Sequence, residues 1–258
     1  MTRILDPLLT VEELTVQHGA LTVLGEMSWQ VDAGEILGII GPNGAGKSTC
    51  LAAVAHAVER TGEIWLGDDR ITDLTTWELA RIGVRRTFQH NGFFGDLTLL
   101  ENAMAAMLLD HSTSLAQSLL TPWREWATRR RAGKAARELL SSFGIAGADH
   151  HKRPDEVAYG LQRLLPVVLA YGSGARVLLL DEPAAGLGSA DAERLADLLA
   201  ELRRRRVAVV VAEHHMDFVM TVADRILVID QGRKLAEGKA ADIGRDDMVR
   251  EAYLGRAA

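Results

Sequence analysis

Four short runs of this chain consist almost entirely of apolar residues, and segments with helical periodicity separate the last three of them. Such runs are typical of strands that are buried on both faces of a parallel sheet. Apolar residues at three- and four-residue spacing predict helices over Ser189–Arg205 and Met216–Ala223. The four apolar runs are Glu35–Ile40, Val177–Leu180, Val207–Ala212 and Arg225–Asp230. The alternation of the two patterns predicts an α/β fold.

The N-terminal and central parts of the chain follow different patterns. Two β-rich stretches, Leu14–Gln17 and Leu21–Leu24, flank a His-Gly pair and predict an antiparallel hairpin. A helix-rich segment later interrupts the α/β alternation, with helical spacing over Leu100–Leu109 and Trp126–Phe143. We therefore expect a β-rich N-terminal region and a helical insertion within the α/β core.

The nine residues from Gly41 to Thr49 fit the pattern G-x-x-x-x-G-K-[ST] and lie between a predicted strand and a predicted helix. Glycines let such a loop bend around an anion and point its N–H groups inward, and the N-terminus of the next helix favours negative charge. Lys47 would reach the β- and γ-phosphates, and the Ser48 hydroxyl would hold Mg2+. This phosphate loop predicts nucleotide binding by Gly41, Pro42, Asn43, Gly44, Ala45, Gly46, Lys47, Ser48 and Thr49.

Polar residues follow two of the apolar strands directly. Asp181 and Glu182 come after Val177–Leu180, at the sheet edge where doubly wound folds bind their ligands. Asp181 can hold Mg2+, and Glu182 is placed to polarise an attacking water. His214 or His215, after the next strand, can contact a γ-phosphate, and their spacing leaves open which of them does so.

Gln89 follows a further short predicted strand, Val84–Phe88. A glutamine at this point can reach both the metal and the water. It is equally compatible with an exposed polar residue at a strand end, so the residues alone leave both interpretations open.

Composition narrows the class of protein. The chain has 258 residues, 48% hydrophobic and 25% charged, which suits one α/β domain with an inserted subdomain. Its net charge of −6 argues against a nucleic-acid surface, and its one cysteine fits a reducing compartment. No apolar run approaches the ~18 residues of a membrane span, and the start lacks a signal-peptide core. We expect a cytosolic protein that sits on a membrane only through an integral partner.

The order of these motifs resembles that of ATP-binding cassette (ABC) transporter ATPases over essentially the whole chain. The segments similar to the branched-chain amino acid uptake subfamily are Arg86–His90, Leu97–Asn102, Ala158–Gly160, Asp181–Leu187 and Ala252–Gly255. The resemblance implies an α/β P-loop NTPase core with a mixed sheet and an N-terminal antiparallel β subdomain, formed by residues 1–96 and 161–258. It places an inserted helical signature subdomain at residues 97–160.

The resemblance also assigns roles to individual residues. It makes Glu182 the general base, His214 the switch histidine, and Gln89 the sensor of the γ-phosphate and of the membrane partner. The segment Asn91–Asn102 would face the membrane subunit, with Phe93, Phe94 and Leu97 as its apolar surface. The residues implied for Mg2+ are Ser48, Gln89 and Asp181.

The chain departs from the family in its signature loop, which binds the nucleotide held by the opposite subunit. The subfamily has Leu-Ser-Tyr-Gly-Gln, whereas this chain has Val157-Ala-Tyr-Gly-Leu161. Ala158 has no hydroxyl and Leu161 has no amide, while Tyr159 is kept and Gly160 retains a backbone donor. Because these losses weaken one half of the site, we expect a heterodimer with a second cassette ATPase whose signature is intact.

Two single residues depart as well. The aromatic residue that stacks on adenine in the family aligns with His18, whose imidazole can stack or can simply belong to the hairpin turn. Pro166 falls early in the helix after the signature and would kink that helix unless it lies in the first turn.

These observations leave three functions to compare. The first is a Mg2+-dependent ATPase at the cytoplasmic face of the membrane, which energises uptake of branched-chain amino acids or a related solute through permease subunits and, indirectly, a solute receptor. The second is a soluble cassette ATPase acting on nucleic acid or ribosomes, which the single cassette and acidic charge disfavour. The third is a regulatory subunit without useful turnover, favoured by the altered signature and opposed by Glu182 and His214.

Overall fold

The computed structural model describes residues 7–87, 92–108, 122–246 and 248–249 of the chain. The strands of these residues are β1 (Leu9–His18), β2 (Leu21–Val31), β3 (Ile36–Ile40), β4 (Thr61–Leu66), β5 (Asp69–Arg70), β6 (Val84–Arg86), β7 (Val177–Asp181), β8 (Ala208–Ala212), β9 (Arg225–Asp230) and β10 (Arg233–Lys239). The helices are α1 (Lys47–Val54), α2 (Thr76–Arg81), α3 (Leu99–Leu108), α4 (Pro122–Ser142), α5 (Tyr159–Gly172), α6 (Ser189–Arg204), α7 (Met216–Val222) and α8 (Ala240–Ile243). Short 3-10 turns lie at Gly147–Asp149 and Pro154–Glu156.

The chain divides into two compact units. The first consists of Met1–Arg86 together with Arg176–Ala258, and the second of Thr87–Ala175. The second unit extends beyond the predicted insertion at 97–160, because α5 is one continuous helix across residue 160 and packs against α3 and α4. A domain boundary at residue 160 would cut this helix and separate residues that pack together.

The main sheet of the first unit has the strand order β10-β9-β3-β8-β7-β6. Strand β10 pairs antiparallel with β9, and the other neighbouring pairs are parallel. Every residue of β3, β7 and β8 is buried, as expected of strands covered on both faces. The predicted α/β fold with a mixed sheet is confirmed, and the phosphate loop leaves the central strand β3.

A second, antiparallel sheet has the order β2-β1-β4-β5. The predicted hairpin is present but longer than predicted, since β1 and β2 pair from Leu9 and Val31 to His18 and Leu21. The turn uses Gly19 with φ 60°, a conformation that glycine adopts without strain. Buried side chains of this sheet, of α1 and of the main sheet belong to one hydrophobic core.

Helix α1 is shorter than the predicted Ser48–Val58. It ends at Val54, and His56 takes φ 56° while its Nδ1 lies 2.6 Å from the carbonyl oxygen of Leu74. Cys50 on this helix is fully buried, and burial raises the pKa of its thiol to about 12. The cysteine therefore packs the core as an unreactive thiol.

The helices of the second unit were predicted to within a few residues, but Pro166 was not placed correctly. It is the eighth residue of α5, well past the first turn, and the helix nevertheless continues to Gly172. Proline has no N–H to donate to the carbonyl of Gln162. The ring instead packs close to Gly92, where an added Cβ would lie 3.1 Å from the Cβ of Pro166.

Candidate nucleotide site

The phosphate loop is shaped by close backbone approaches that only glycine permits. A Cβ on Gly41 would lie 2.1 Å from the carbonyl oxygen of Ile229, and one on Gly46 would lie 2.7 Å from Cδ2 of Leu24. Gly46 also has φ 104° and precedes α1 directly. The loop therefore needs glycine at both positions, and the N-terminus of α1 opens towards it.

Lys47 lies inside the loop. Its Nζ donates hydrogen bonds to the carbonyl oxygens of Gly41 at 2.8 Å and Pro42 at 3.1 Å, and the residue is 7% exposed. Burial lowers the pKa of Lys47, while the carboxylates of Glu182, Asp181 and, more weakly, Glu213 raise it. The ammonium is held where it can neutralise phosphate charge.

Ser48 and Asp181 meet at the end of the sheet. The Ser48 hydroxyl donates to Oδ1 of Asp181 at 2.8 Å, and the guanidinium of Arg86 donates to Oδ2 at 2.9 Å. The Asp181 side chain is 4% exposed, so both of its oxygens are held in a site with little water. Hydroxyl and carboxylate oxygens are the ligands that Mg2+ prefers, and this pair fits that ion.

Glu182 and His214 face each other from the loops that follow the neighbouring strands β7 and β8. Oε1 of Glu182 lies 3.6 Å from Nδ1 of His214. Glu182 has φ 47°, and its N–H donates to the carbonyl oxygen of Ala212 at 2.9 Å, which ties the loop after β7 to the end of β8. A non-glycine residue in this conformation is often found at functional sites. Of the two candidate histidines, His214 is the one placed beside the carboxylate, and the ring centroid of His215 lies 4.1 Å from that of His214 with the two rings tilted by 39°.

Two charged residues at this edge were missed as site residues from the sequence. Arg86 is the last residue of β6 and pairs with Asp181, and Glu213 follows β8 with no exposed surface. The available signal was a charged residue directly at the end of a buried strand. Such a residue must find a partner inside the protein.

The signature residues begin α5 in the second unit. Ala158 is the N-cap of this helix, and no side-chain hydrogen bond caps it. Tyr159 is 54% exposed, Gly160 is buried, and Gln162 donates to the carbonyl oxygen of Val157 at 3.0 Å. The loop thus presents a helix N-terminus whose capping residue lacks a hydroxyl.

The remaining predicted residues lie at the margins of the described structure. His18 is exposed and pairs with Leu21 at the tip of the β1–β2 hairpin. Gln89 and the segment Ala252–Gly255 lie outside the described residues. The assignments of His18 and Gln89 to the nucleotide site stay predictions.

A phosphate loop between a central parallel strand and a helix, with an acidic pair at the neighbouring strand end, defines the class of P-loop nucleotide-binding proteins. The family model of ABC transporters matches residues 24–185. The chain belongs to the ABC transporter family, and it is an ATP-hydrolysing cassette subunit. The resemblance in the sequence is confirmed.

Relatives match along nearly the whole chain. The high-affinity branched-chain amino acid transport ATP-binding protein LivG of Salmonella typhimurium is 36% identical, over 98% of this chain and 99% of the relative. The corresponding protein BraF of Pseudomonas aeruginosa is 34% identical, over 97% of this chain and 99% of the relative. The chain is therefore similar to ATP-binding subunits of transport systems along its full described length.

A solved structure supports the fold. The crystal structure of a nucleotide-free ATP-binding cassette from an ABC transporter superposes with a TM-score of 0.83 at 24% identity, and it covers 97% of this chain and 100% of the other. Within the described ranges, none of the helices is both long and apolar enough to cross a bilayer.

Proposed function

We propose that this chain is the ATPase subunit of an importer for branched-chain amino acids or a related small solute. It acts at the cytoplasmic face of the membrane, on permease subunits that receive solute from an extracytoplasmic receptor. The observation that carries the proposal is the arrangement of two pairs at one sheet edge, Ser48 with Asp181 and Glu182 with His214. The similarity to LivG and BraF supports the solute class.

Each residue at this site has a different role in the proposed ATP hydrolysis. Lys47 neutralises phosphate charge, and Ser48 with Asp181 would hold Mg2+, which supplies further neutralisation of phosphate charge when bound. Glu182 accepts the proton of the attacking water, because its carboxylate follows a buried strand at the phosphate side of the sheet. His214 lies within 3.6 Å of that carboxylate and would contact the γ-phosphate.

The working unit is an asymmetric pair with a second cassette ATPase. In such pairs each nucleotide lies between the phosphate loop of one subunit and the signature of the other. This chain brings a complete phosphate-loop half, but its signature lacks a hydroxyl at Ala158 and an amide at Leu161. Each lost hydrogen bond to a charged phosphate costs about 1.5–3 kcal/mol, or roughly tenfold or more in closure of the site. Turnover is then concentrated at the site formed by this chain's Glu182 and the partner's signature.

The test of this asymmetry removes the base glutamate from one subunit of the reconstituted transporter at a time. Replacing Glu182 with glutamine should abolish most ATP turnover and solute uptake, whereas the same change in the partner should cost little. Equal losses from both changes, or full activity of this chain as a homodimer, would contradict the asymmetric pair. ATP-driven uptake of labelled leucine into proteoliposomes tests the solute class in the same preparation.

A regulatory subunit without turnover is the second candidate function, and the altered signature favours it. Glu182 and His214 argue against it, because a subunit that only binds nucleotide has no need of a paired base and histidine. Single-turnover hydrolysis by the purified pair separates the two, since a regulatory subunit would release no phosphate from its own site.

A further inference from the structure

Glu213 is a carboxylate with no exposed surface, and it takes no part in the proposed chemistry. It lies directly after β8, between that strand and His214. Acidic side chains are almost never fully buried unless they are paired, because desolvation of the charged form is costly. A residue buried to this degree therefore has a specific set of partners.

The partners of Glu213 are backbone groups of two loops. Its Oε1 accepts a hydrogen bond from the N–H of Ala184 at 2.7 Å, and its Oε2 accepts one from the N–H of His214 at 3.2 Å. Ala184 belongs to the loop after β7, two residues beyond Glu182, and His214 belongs to the loop after β8. One side chain therefore joins the loop that carries the base to the loop that carries the histidine.

The same side chain also approaches the histidine ring. Nδ1 of His214 lies 3.7 Å from Oε2 of Glu213 and 3.6 Å from Oε1 of Glu182, so the ring is placed between two carboxylates. Burial raises the pKa of Glu213, while the N–H donors of Ala184 and His214 oppose that shift. Both oxygens of the side chain serve as acceptors in this arrangement.

We propose that Glu213 is a positioning residue for ATP hydrolysis. Its side chain joins the two loops and so fixes the positions of Glu182 and His214 relative to each other. The inference rests on the proposed function, in which these two residues act on the water and the γ-phosphate. The side chain has no exposed surface and would act through the hydrogen bonds that it accepts from the two loops. A displacement of about 1 Å in a reacting group can cost roughly 100-fold in rate, so the effect should appear in turnover.

Glutamine at position 213 is the sharpest test, because it keeps the shape of the side chain and removes one acceptor. Its NH2 group would face one of the two N–H donors, and one loop would lose its hydrogen bond. We expect Glu213→Gln to lower the single-turnover rate of Mg2+-ATP hydrolysis roughly 10- to 100-fold. The dissociation constant of ATP, measured by calorimetry on the full chain, should stay within about twofold because the phosphate loop is untouched.

Glu35→Gln provides a matched control. Glu35 is a partly buried carboxylate, with 14% of its side chain exposed, whose Oε2 accepts a backbone hydrogen bond from Asp32 at 2.7 Å, and burial raises its pKa as well. It lies before β3, at the opposite end of that strand from the phosphate loop. We expect this change to leave the hydrolysis rate unaltered.

The outcomes distinguish the inference from the proposed function. Equal rates for Glu213→Gln and the wild type, or equal losses for Glu213→Gln and Glu35→Gln, would overturn the positioning role. If Glu182→Gln, measured beside them, kept full turnover, the proposed function itself would fail. If the glutamine variant does not fold, Glu213→Asp replaces it in the test. Aspartate keeps the charge but is too short to reach both loops, so the hydrolysis rate of this variant should fall as well.

Discussion

At the scale of single residues, Arg86 and Asp181 form an ion pair that is almost withdrawn from water. Their side chains are 16% and 4% exposed, and the guanidinium nitrogen lies 2.9 Å from the carboxylate oxygen. A buried pair is strongly destabilised when one partner is removed, since the other charge stays in a poorly solvated site. Arg86 therefore compensates the charge of Asp181, the carboxylate that is proposed to hold Mg2+.

Replacing Arg86 with methionine should lower the free energy of unfolding by roughly 3–5 kcal/mol in the absence of metal. The loss should be smaller with Mg2+ and nucleotide, because a bound cation also compensates Asp181. Chemical denaturation under both conditions measures the difference. Arg70→Met is the control, because the ion pairs of Arg70 with Glu63 and Asp73 are at the surface. This substitution should lower the free energy of unfolding much less. Similar losses from both substitutions would contradict the role of Arg86.

Lys47 supports a second prediction at this scale. Lys47→Ala removes the ammonium that lies inside the phosphate loop, so ATP affinity should fall by roughly tenfold or more. Calorimetric titration with ATP measures the change, and Lys134→Ala on the exposed face of α4 should leave affinity unaltered. Near-wild-type affinity of the Lys47 variant would contradict the placement of the phosphates.

At the scale of elements, the start of α5 shows what the altered signature costs. Ala158 caps the helix without a side-chain hydrogen bond, and it lacks the hydroxyl that the subfamily signature provides. A serine at an N-cap stabilises a helix by about 0.5–2 kcal/mol relative to alanine. The same hydroxyl would donate to a nucleotide held by the opposite subunit.

Ala158→Ser should therefore raise both the stability of this chain and the ATPase rate of its homodimer. Denaturation and phosphate release measure the two effects. Ala158→Gly separates the two effects, because glycine is also an acceptable N-cap but brings no hydroxyl. Its stability should rise while its ATPase rate stays unchanged. An unchanged rate in the serine variant would show that the signature hydroxyl is not what limits turnover.

A loop before α3 supports a prediction about the membrane partner. The Asn102 side chain accepts from the N–H of Phe94 at 2.7 Å and donates to the carbonyl oxygens of Phe94, Leu97 and Thr98 at 3.0–3.1 Å. These hydrogen bonds hold the loop in one conformation while the Phe94 side chain is 63% exposed. An exposed aromatic residue on a fixed loop is suited to an interface.

Phe94→Glu should uncouple transport from hydrolysis while basal ATPase activity and folding are retained. Uptake and phosphate release by the reconstituted transporter measure the two activities. Trp77→Glu is the control, because Trp77 is 57% exposed on α2 in the other unit and should not affect coupling. Normal uptake by the Phe94 variant would show that this residue lies outside the interface with the permease.

The elements were predicted well where the pattern was local. The buried strands and the hairpin were recognisable from apolar runs and turn residues. The sequence did not predict the ion pair between Arg86 and Asp181 or the hydrogen bond from Ala184 to Glu213, because these contacts join residues that are distant in the chain. The position of Pro166 was also missed, because its cost to the helix is offset by tertiary packing that local propensity does not contain.

At the scale of the whole molecule, the proposed function assigns this chain the phosphate-loop half of one nucleotide site and an altered signature half of another. The phosphate loop, the acidic pair and His214 belong to the first unit, and the signature belongs to the second. In the proposed asymmetric pair, such a subunit depends on a partner for its own turnover. The proposed asymmetry follows from two side chains, Ala158 and Leu161, rather than from any change in the fold.

The most direct measurement is the rate of ATP hydrolysis by Glu182→Gln in the assembled pair, with ATP binding measured on the same sample. The substitution keeps the size of the side chain and removes the base, so binding should equal that of the wild type while turnover falls by roughly 100-fold or more. An ATP-bound pair should then accumulate. Turnover close to that of the wild type would contradict the assignment of Glu182 and of this sheet edge as the site of hydrolysis.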